Sequence, residues 1–365
     1  MSASVVNVFT EWGRLEEVIV GEVHNGYVPK DPGDADLSYR LFYGANLPQG
    51  RVVDGQAAHG PGLRPETISP YADRVVQERR EDVEQLVVVL EQLGVTVKRP
   101  QRLAAIAPVA TPDWSSLTHF AHNVRDQTLV VGDDIIETPP LCRHRYFEND
   151  LLKRLFQGYF SGGAKWTVAP RPLMRDASFD RGDGEGGDEI EMMFDAAQCL
   201  RFGTDIVINV STEHHRLGAR WLQRHLGERF TVHVVDGVAA DHIDATMMPL
   251  RPGLLFVNPR TLDGKLDRLP LALRGWDTIS VCDTDETVYE DGELLLASEN
   301  ISANVLAIGD DRVLINARCT NTIRALELRG LTPIPVELRH SRLYGGGFHC
   351  ITLDVRRAER LETYF

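Results

Sequence analysis

Five times along the chain, an amphipathic run ends near a glycine and gives way to a short β-branched run. In the first copy, Val76, Val83, Leu86, Val87, Leu90 and Leu93 recur at spacings of three, four and seven, which puts them on one helix face. Gly94 follows as a left-handed helix terminator, and 95–98 reads as a strand. The same order recurs as helix 151–160, Gly163 and strand 166–168, and as helix 217–226, Gly227 and strand 230–235. A short copy has helix 271–274, Gly275 and strand 278–281; the last has helix 323–329, Gly330 and strand 334–336. Between these units lie paired apolar runs split by turn residues: 129–131 and 135–136 around Gly132-Asp133-Asp134, 200–202 and 206–208 around Gly203-Thr204-Asp205, and 305–308 and 313–315 around Gly309-Asp310-Asp311. Apolar runs flanking such turns predict hairpins.

The chain is therefore expected to be α/β, built from five strand–strand–helix–strand units. Their unequal spacing argues against a regular solenoid and predicts a ring, in which distant positions meet at a central channel. The competing architecture is a doubly wound sheet, but no Gly-x-Gly-x-x-Gly stands at a strand–helix junction to support it. We expect one catalytic domain over 1–365, with two stretches outside the repeat. Residues 38–69 are rich in Gly and Pro and read as an insertion or flap. Residues 176–191 carry Asp180, Asp183, Glu185, Asp188, Glu189 and Glu191 but lack the spacing of a twelve-residue calcium loop, so they read as a solvated acidic loop.

Composition narrows the partners. A formal charge of −14 with no Lys/Arg-rich run excludes nucleic acid as an expected partner. No apolar stretch is long enough to span a membrane, and no secretory signal stands at 1–10. The five cysteines, Cys142, Cys199, Cys282, Cys319 and Cys350, are odd in number and form no Cys-x-x-Cys, which suits a cytoplasmic protein without disulfides.

Among them Cys350 ends the run Gly345-Gly346-Gly347-Phe348-His349-Cys350 and precedes a strand-like segment. The glycines let a substrate approach closely, so an accessible nucleophile is one reading and a buried core cysteine the other. His242 stands between Asp241 and Asp244; in an extended stretch 242 and 244 share a side, so the imidazole could act as acid and base, or simply be a satisfied strand-edge residue. Asp195 and Asp126 read by default as turn or cap residues. His119 and His122 form a helix-spaced pair and His214-His215 opens a helix, but neither pair has a third ligand nearby, so no metal site is expected.

Taken together, Phe194-Asp195-Ala196-Ala197, His242-Ile243-Asp244-Ala245-Thr246 and Gly345 to Cys350 with Asp354-Val355-Arg356-Arg357 resemble the glycine amidinotransferase family. Glu11-Trp12, Leu15-Glu16-Glu17-Val18-Ile19-Val20-Gly21, Lys165-Trp166 and Pro170-Arg171-Pro172 extend the likeness from about residue 11 to 365. The resemblance implies the five-bladed α/β propeller of the pentein superfamily. It implies Cys350 as nucleophile, His242 as general acid/base and Asp195 as the partner orienting the imidazole, with Asp126 and Asp244 holding a guanidinium. The activity implied is transfer of the amidino group of L-arginine to a small amine through an amidino-cysteine, with ornithine released and no metal or cofactor. The alternative is a deiminase-like hydrolase on the same fold, forming citrulline; a catalytically silent binding protein is the third choice. Asp241 stands where the glycine-specific animal enzymes have methionine, which would favour a cationic acceptor such as lysine or an aminocyclitol. The stretches 200–205, 250–254 and 340–342 look more like the aminocyclitol-phosphate enzymes, and the implied setting is antibiotic or toxin biosynthesis. Ser298 and Arg260 are carried as further substrate contacts. The acceptor and the oligomeric state, a homodimer among the choices, stay open.

Overall fold

The structure is a computed structural model, and it describes residues 5–31, 35–43, 63–179, 189–240, 242–281, 283–285, 287–289 and 294–365, with side chains 40, 41 and 43 left out. Five three-stranded sheets of one design make up the body of the chain. In the second, Thr128–Val131 pairs antiparallel with Asp134–Glu137, helix Lys153–Ser161 crosses over, and Lys165–Val168 adds on parallel. Parallel pairing requires such a crossover, whereas the hairpin needs only its glycine turn. The third sheet repeats this with Cys199–Phe202, Asp205–Val210, helix Glu213–Leu226 and Thr231–Asp236. The fourth has Met247–Arg251, Leu254–Val257, the single-turn helix Leu271–Arg274 and Asp277–Ser280. The fifth has Leu306–Gly309, Arg312–Asn316, helix Thr320–Leu328 and Thr332–Val336.

The remaining sheet joins the chain's two ends. Its first strand is Thr352–Ala358, paired antiparallel with Arg14–Val20, and helix Asp73–Gln92 then leads to the parallel strand Thr96–Lys98. Residues 7–10 stitch this unit to its neighbours, with bridges from Asn7 to Arg356, Val8 to Gly132 and Thr10 to Phe202. Burial follows the strand order: the hairpins of the second and third sheets are buried throughout, whereas the parallel third strands are half-buried or exposed except at Val235. Continuous apolar hairpins thus form the interior, and the helices cover the outer strands with faces such as Val83, Leu86 and Leu90.

Two local expectations change. Gly94, Gly163, Gly227 and Gly330 do adopt positive φ, but Gly275 sits at −89°, and the fourth helix ends without a left-handed residue. His119 and His122 lie on an irregular connection, not a helix: His119 faces Glu148, and His122 accepts from buried Arg79. The flap at 38–69 is described only in part, as a short helix Leu37–Tyr43 and a strand Ile68–Pro70 paired with Tyr27–Pro29. Residues 180–188 of the acidic stretch, with Asp241 and Cys282, lie outside the described residues. Cys142, Cys199, Cys319 and Cys350 are buried, and no disulfide joins any two of them. Among the described residues no helix is long and apolar enough to cross a membrane.

Candidate active site

Each unit sends one short turn to the same place. Asp126 stands just before Thr128–Val131, Asp195 just before Cys199–Phe202, and His242 and Asp244 just before Met247–Arg251. Asn304 stands just before Leu306–Gly309 and Cys350 just before Thr352–Ala358. Single 3-10 turns, Ala196–Gln198, Ile243–Ala245 and Ile301–Ala303, set three of these approaches. The turn at Ile243–Ala245 also corrects the extended geometry expected there, although His242 and Asp244 still face one cavity.

That cavity holds about 300 Å³. Its lining includes Asp126, His242, Asp244 and Cys350, together with the apolar side chains of Phe42 and Leu296. Cys350 is 2% exposed, so its expected accessibility is through the cavity only. Asn304 holds it on two sides. The amide Nδ2 donates to Sγ at 3.2 Å, while Oδ1 accepts from the Cys350 and Gly347 backbone N–H groups at 3.0 and 3.1 Å. Asp244 Oδ2 lies 3.4 Å from Sγ and 2.7 Å from His349 Nδ1; the other nitrogen of His349 faces Glu11 Oε2 at 3.1 Å. The glycine run is a close fit. A Cβ on Gly346 would come within 2.7 Å of both Asn123 Oδ1 and Cys350 Cβ, and Gly345 takes φ +72°.

His242 Nε2 faces Asp195 Oδ2 at 3.0 Å, and Gln127 Nε2 fixes the other Asp195 oxygen at 2.7 Å. Asp195 is also the turn residue its position suggested, since Gln198 caps its backbone N–H at 2.8 Å. With Nε2 so engaged, Nδ1 is the nitrogen turned to the cavity, 3.9 Å from Asp126 Oδ1. Arg145 Nη1 holds Asp126 Oδ2 at 2.7 Å and is itself held by Glu148 at 2.7 Å. Asp126 Oδ1 and Asp244 Oδ1 are buried without a hydrogen-bond partner.

The charges follow from this packing. Burial raises the Asp126 carboxyl to about 6, outweighing His242 and Arg145. Burial opposes a charged His242, but Asp126, Asp195 and Asp244 prevail and lift it to about 9. Burial, then the charges of Asp244 and Asp126, push the Cys350 thiol well above its ordinary value. Against its own burial, Asp244 is kept below the usual carboxylate range by its hydrogen bond from His349. The resting site is thus a thiol, an imidazolium and two carboxylates around an empty space. Asp126, His242 and Cys350 offer O, N and S atoms all within 4.8 Å of one another, which shows how tightly the cluster is drawn together.

Ser298 lines the cavity, whereas Arg260 does not; its exposed guanidinium pairs with Glu299 at 2.7 Å. Sequence reasoning missed Asn304, Arg145, His349 and Phe42. Asn304 carried a signal, since it holds the position before a repeat's first strand that Asp126, Asp195 and Cys350 hold in theirs.

No family model matches the chain. Over its full length, however, it is 39% identical to inosamine-phosphate amidinotransferase 1 of Streptomyces glaucescens, covering 99% of both chains. The chain belongs to the amidinotransferase family. Membership extends to a second kind of relative, the L-arginine:L-lysine amidinotransferase of Pseudomonas savastanoi pv. phaseolicola, at 34% identity over 100% of this chain and 98% of that one. Among solved structures, the inosamine-phosphate amidinotransferase StrB1 of Streptomyces griseus superposes with a TM-score of 0.86 at 38% identity, covering 99% of each chain. The resemblance drawn from the motifs therefore holds along the whole sequence, and a transferase of amidino groups is the class of enzyme this family defines.

Proposed function

We propose that this amidinotransferase takes the amidino group of L-arginine onto Cys350 and passes it to a small amine, releasing ornithine between the two half-reactions. One observation carries the reading: two buried carboxylates, each with an unpartnered oxygen, bracket a cysteine and an imidazole in one cavity. A planar guanidinium has the paired N–H donors that such oxygens lack, and its charge answers theirs.

The same binding event solves the problem of the thiol. A guanidinium between Asp126 and Asp244 offsets the charges that oppose ionisation of Cys350, so the thiol gives its proton to water as arginine binds and the nucleophile is activated by its own substrate. Sγ attacks the guanidino carbon, and the imidazolium of His242 gives its Nδ1 proton to the departing nitrogen of ornithine as the C–N bond breaks. His242 is then neutral and takes a proton from the incoming amine, which attacks the amidino carbon and returns the electron pair of the C–S bond to sulfur. Asp195 keeps the ring oriented through both steps. The turns of the five units converge on Cys350, His242 and the side chains that hold them, which supports reading the sheets as blades of a five-bladed propeller around one axis. Buried cysteines with no disulfide between them, among the described residues, are in keeping with a cytoplasmic setting. The relatives' names, one an inosamine phosphate and one lysine, support an amine acceptor without choosing it.

Incubation with arginine labelled in the guanidino group tests the reading by mass spectrometry. A labelled adduct on Cys350 with free ornithine, absent from Cys350→Ala and discharged by one candidate amine, is the expected result. Citrulline with ammonia instead would mean that the other C–N bond breaks and that the chain is a deiminase-like hydrolase.

A further inference from the structure

We infer that Phe42 decides between transfer and hydrolysis by keeping water from the working face of His242 while the amidino-enzyme waits for its amine. This rests on the transferase reading above and adds a determinant of reaction specificity to it. The need is chemical. Once ornithine has left, His242 is a free base beside an electrophilic carbon, and it would activate water as readily as an amine. In that side reaction water adds its oxygen to the amidino carbon and gives one proton to His242. The C–S bond then breaks with its electron pair returning to Sγ, the second proton goes to sulfur, and urea leaves. A transferase must slow this step.

The Phe42 ring stands edge-on to the His242 imidazole, with centroids 5.4 Å apart and planes at 64°. It lines the cavity, and it is the largest apolar side chain among the described lining residues, where Ala239, Ala240, Ala245 and Ala297 supply only methyl groups. Its back is fixed: Phe42 packs on the buried clusters that contain Tyr39, Leu294 and Met174. The helix that carries it, Leu37–Tyr43, is pinned to the turn that carries Arg145. Ser38 Oγ accepts from the Arg143 backbone N–H at 3.0 Å, and the Tyr39 ring lies 5.0 Å from that of His144. The ring beside the base and the arginine that holds Asp126 are therefore positioned by the same packed turn. Truncating this ring to a methyl opens room against the imidazole for further waters, each needing about 30 Å³, in addition to those the cavity admits. The described part of the 38–69 insertion thereby has a chemical role outside the repeat.

The experiment loads wild type, Phe42→Leu and Phe42→Ala with guanidino-labelled arginine, removes free arginine, and follows the Cys350 adduct and released urea without any amine. We expect all three to form the adduct and release ornithine. Adduct lifetime should fall with side-chain size, by about tenfold or more in Phe42→Ala, with urea formed in step. Equal lifetimes in proteins that load normally would overturn the role of Phe42 and leave the transferase reading intact. A wild type that never acquires the adduct would instead refute the transferase reading. Should Phe42→Ala fail to fold, Phe42→Leu and Phe42→Val give the same comparison, and a flat lifetime across them overturns the inference. Addition of a competent amine to Phe42→Ala should divert label from urea to the guanidino product, which a merely unstable protein would not do.

Discussion

At Asp126 and Asp244, folding has taken one oxygen of each carboxylate out of water and left it without a donor. An unmet buried acceptor costs about 1–3 kcal/mol, so two of them facing one cavity form a site strained toward a cation. The same strain sets the pH response. Arginine capture needs Asp126 ionised, and departure of ornithine needs His242 protonated. Because burial lifts Asp126 to about 6 and the three aspartates lift His242 to about 9, kcat/KM for arginine should rise through the first value and fall through the second. A pH profile of ornithine release checks this. Both limbs displaced to lower pH, to where an ordinary aspartate and an ordinary histidine titrate, would mean that the cluster does not act as described. Asp195→Asn should pull the alkaline limb down, since it removes one of the charges that sustain the imidazolium.

At the scale of the element, the approach to each first strand matters more than the strand itself. The glycine run is the tightest of these approaches. Gly346→Ala would press its methyl onto Asn123 Oδ1 and Cys350 Cβ, both 2.7 Å from the added atom, so the sulfur must shift while the apolar strand behind it, Ile351 and Leu353, stays packed. We expect unchanged unfolding in urea and a loss of about 100-fold or more in adduct formation, because displacing a reacting atom by an ångström costs on that order. Much of this layer was legible beforehand. The five helices and their parallel strands follow from apolar spacing, and they fall within a few residues of where the periodicity put them. What could not be read was which faces of the turns meet. A 3-10 turn at Ile243–Ala245 and the two-sided grip of Asn304 are set by contacts between units far apart in sequence. The motifs named Cys350, His242 and the aspartates through likeness, while their local patterns alone permitted turn and core readings. Phe42 and Arg145 escaped because each acts across an interface that no local period encodes.

The units are joined at the level of the whole molecule by a buried knot of charge. Arg201, on the third sheet, donates to Glu11 at 2.8 Å, to the Val130 carbonyl of the second sheet at 3.1 Å and to Asp354 of the first at 2.9 Å. Asp354 also takes Arg125 at 2.5 Å and Arg357 at 2.9 Å, and Arg357 reaches the Ala307 carbonyl of the fifth sheet at 2.9 Å. The fourth enters through Asp244, which His349 ties to Glu11. Such a knot is costly to desolvate, and its worth lies in what happens when one member is removed: the partners remain buried and uncompensated. Arg201→Met keeps most of the side-chain volume but takes from Glu11 its bidentate arginine and from Asp354 one of three, leaving excess buried negative charge, so it should cost about 3–5 kcal/mol in urea unfolding. Arg251→Met breaks an exposed pair with Asp311 and should cost less than about 1 kcal/mol. Because Glu11 holds His349, and His349 holds the carboxylate beside the nucleophile, the folded fraction of Arg201→Met should also need more arginine to load Cys350. Weak arginine capture together with lost stability would show that the charges joining the units also hold the site in register. A loss of stability with unaltered capture would confine the knot to folding, and would place the control of Asp244 in His349 alone.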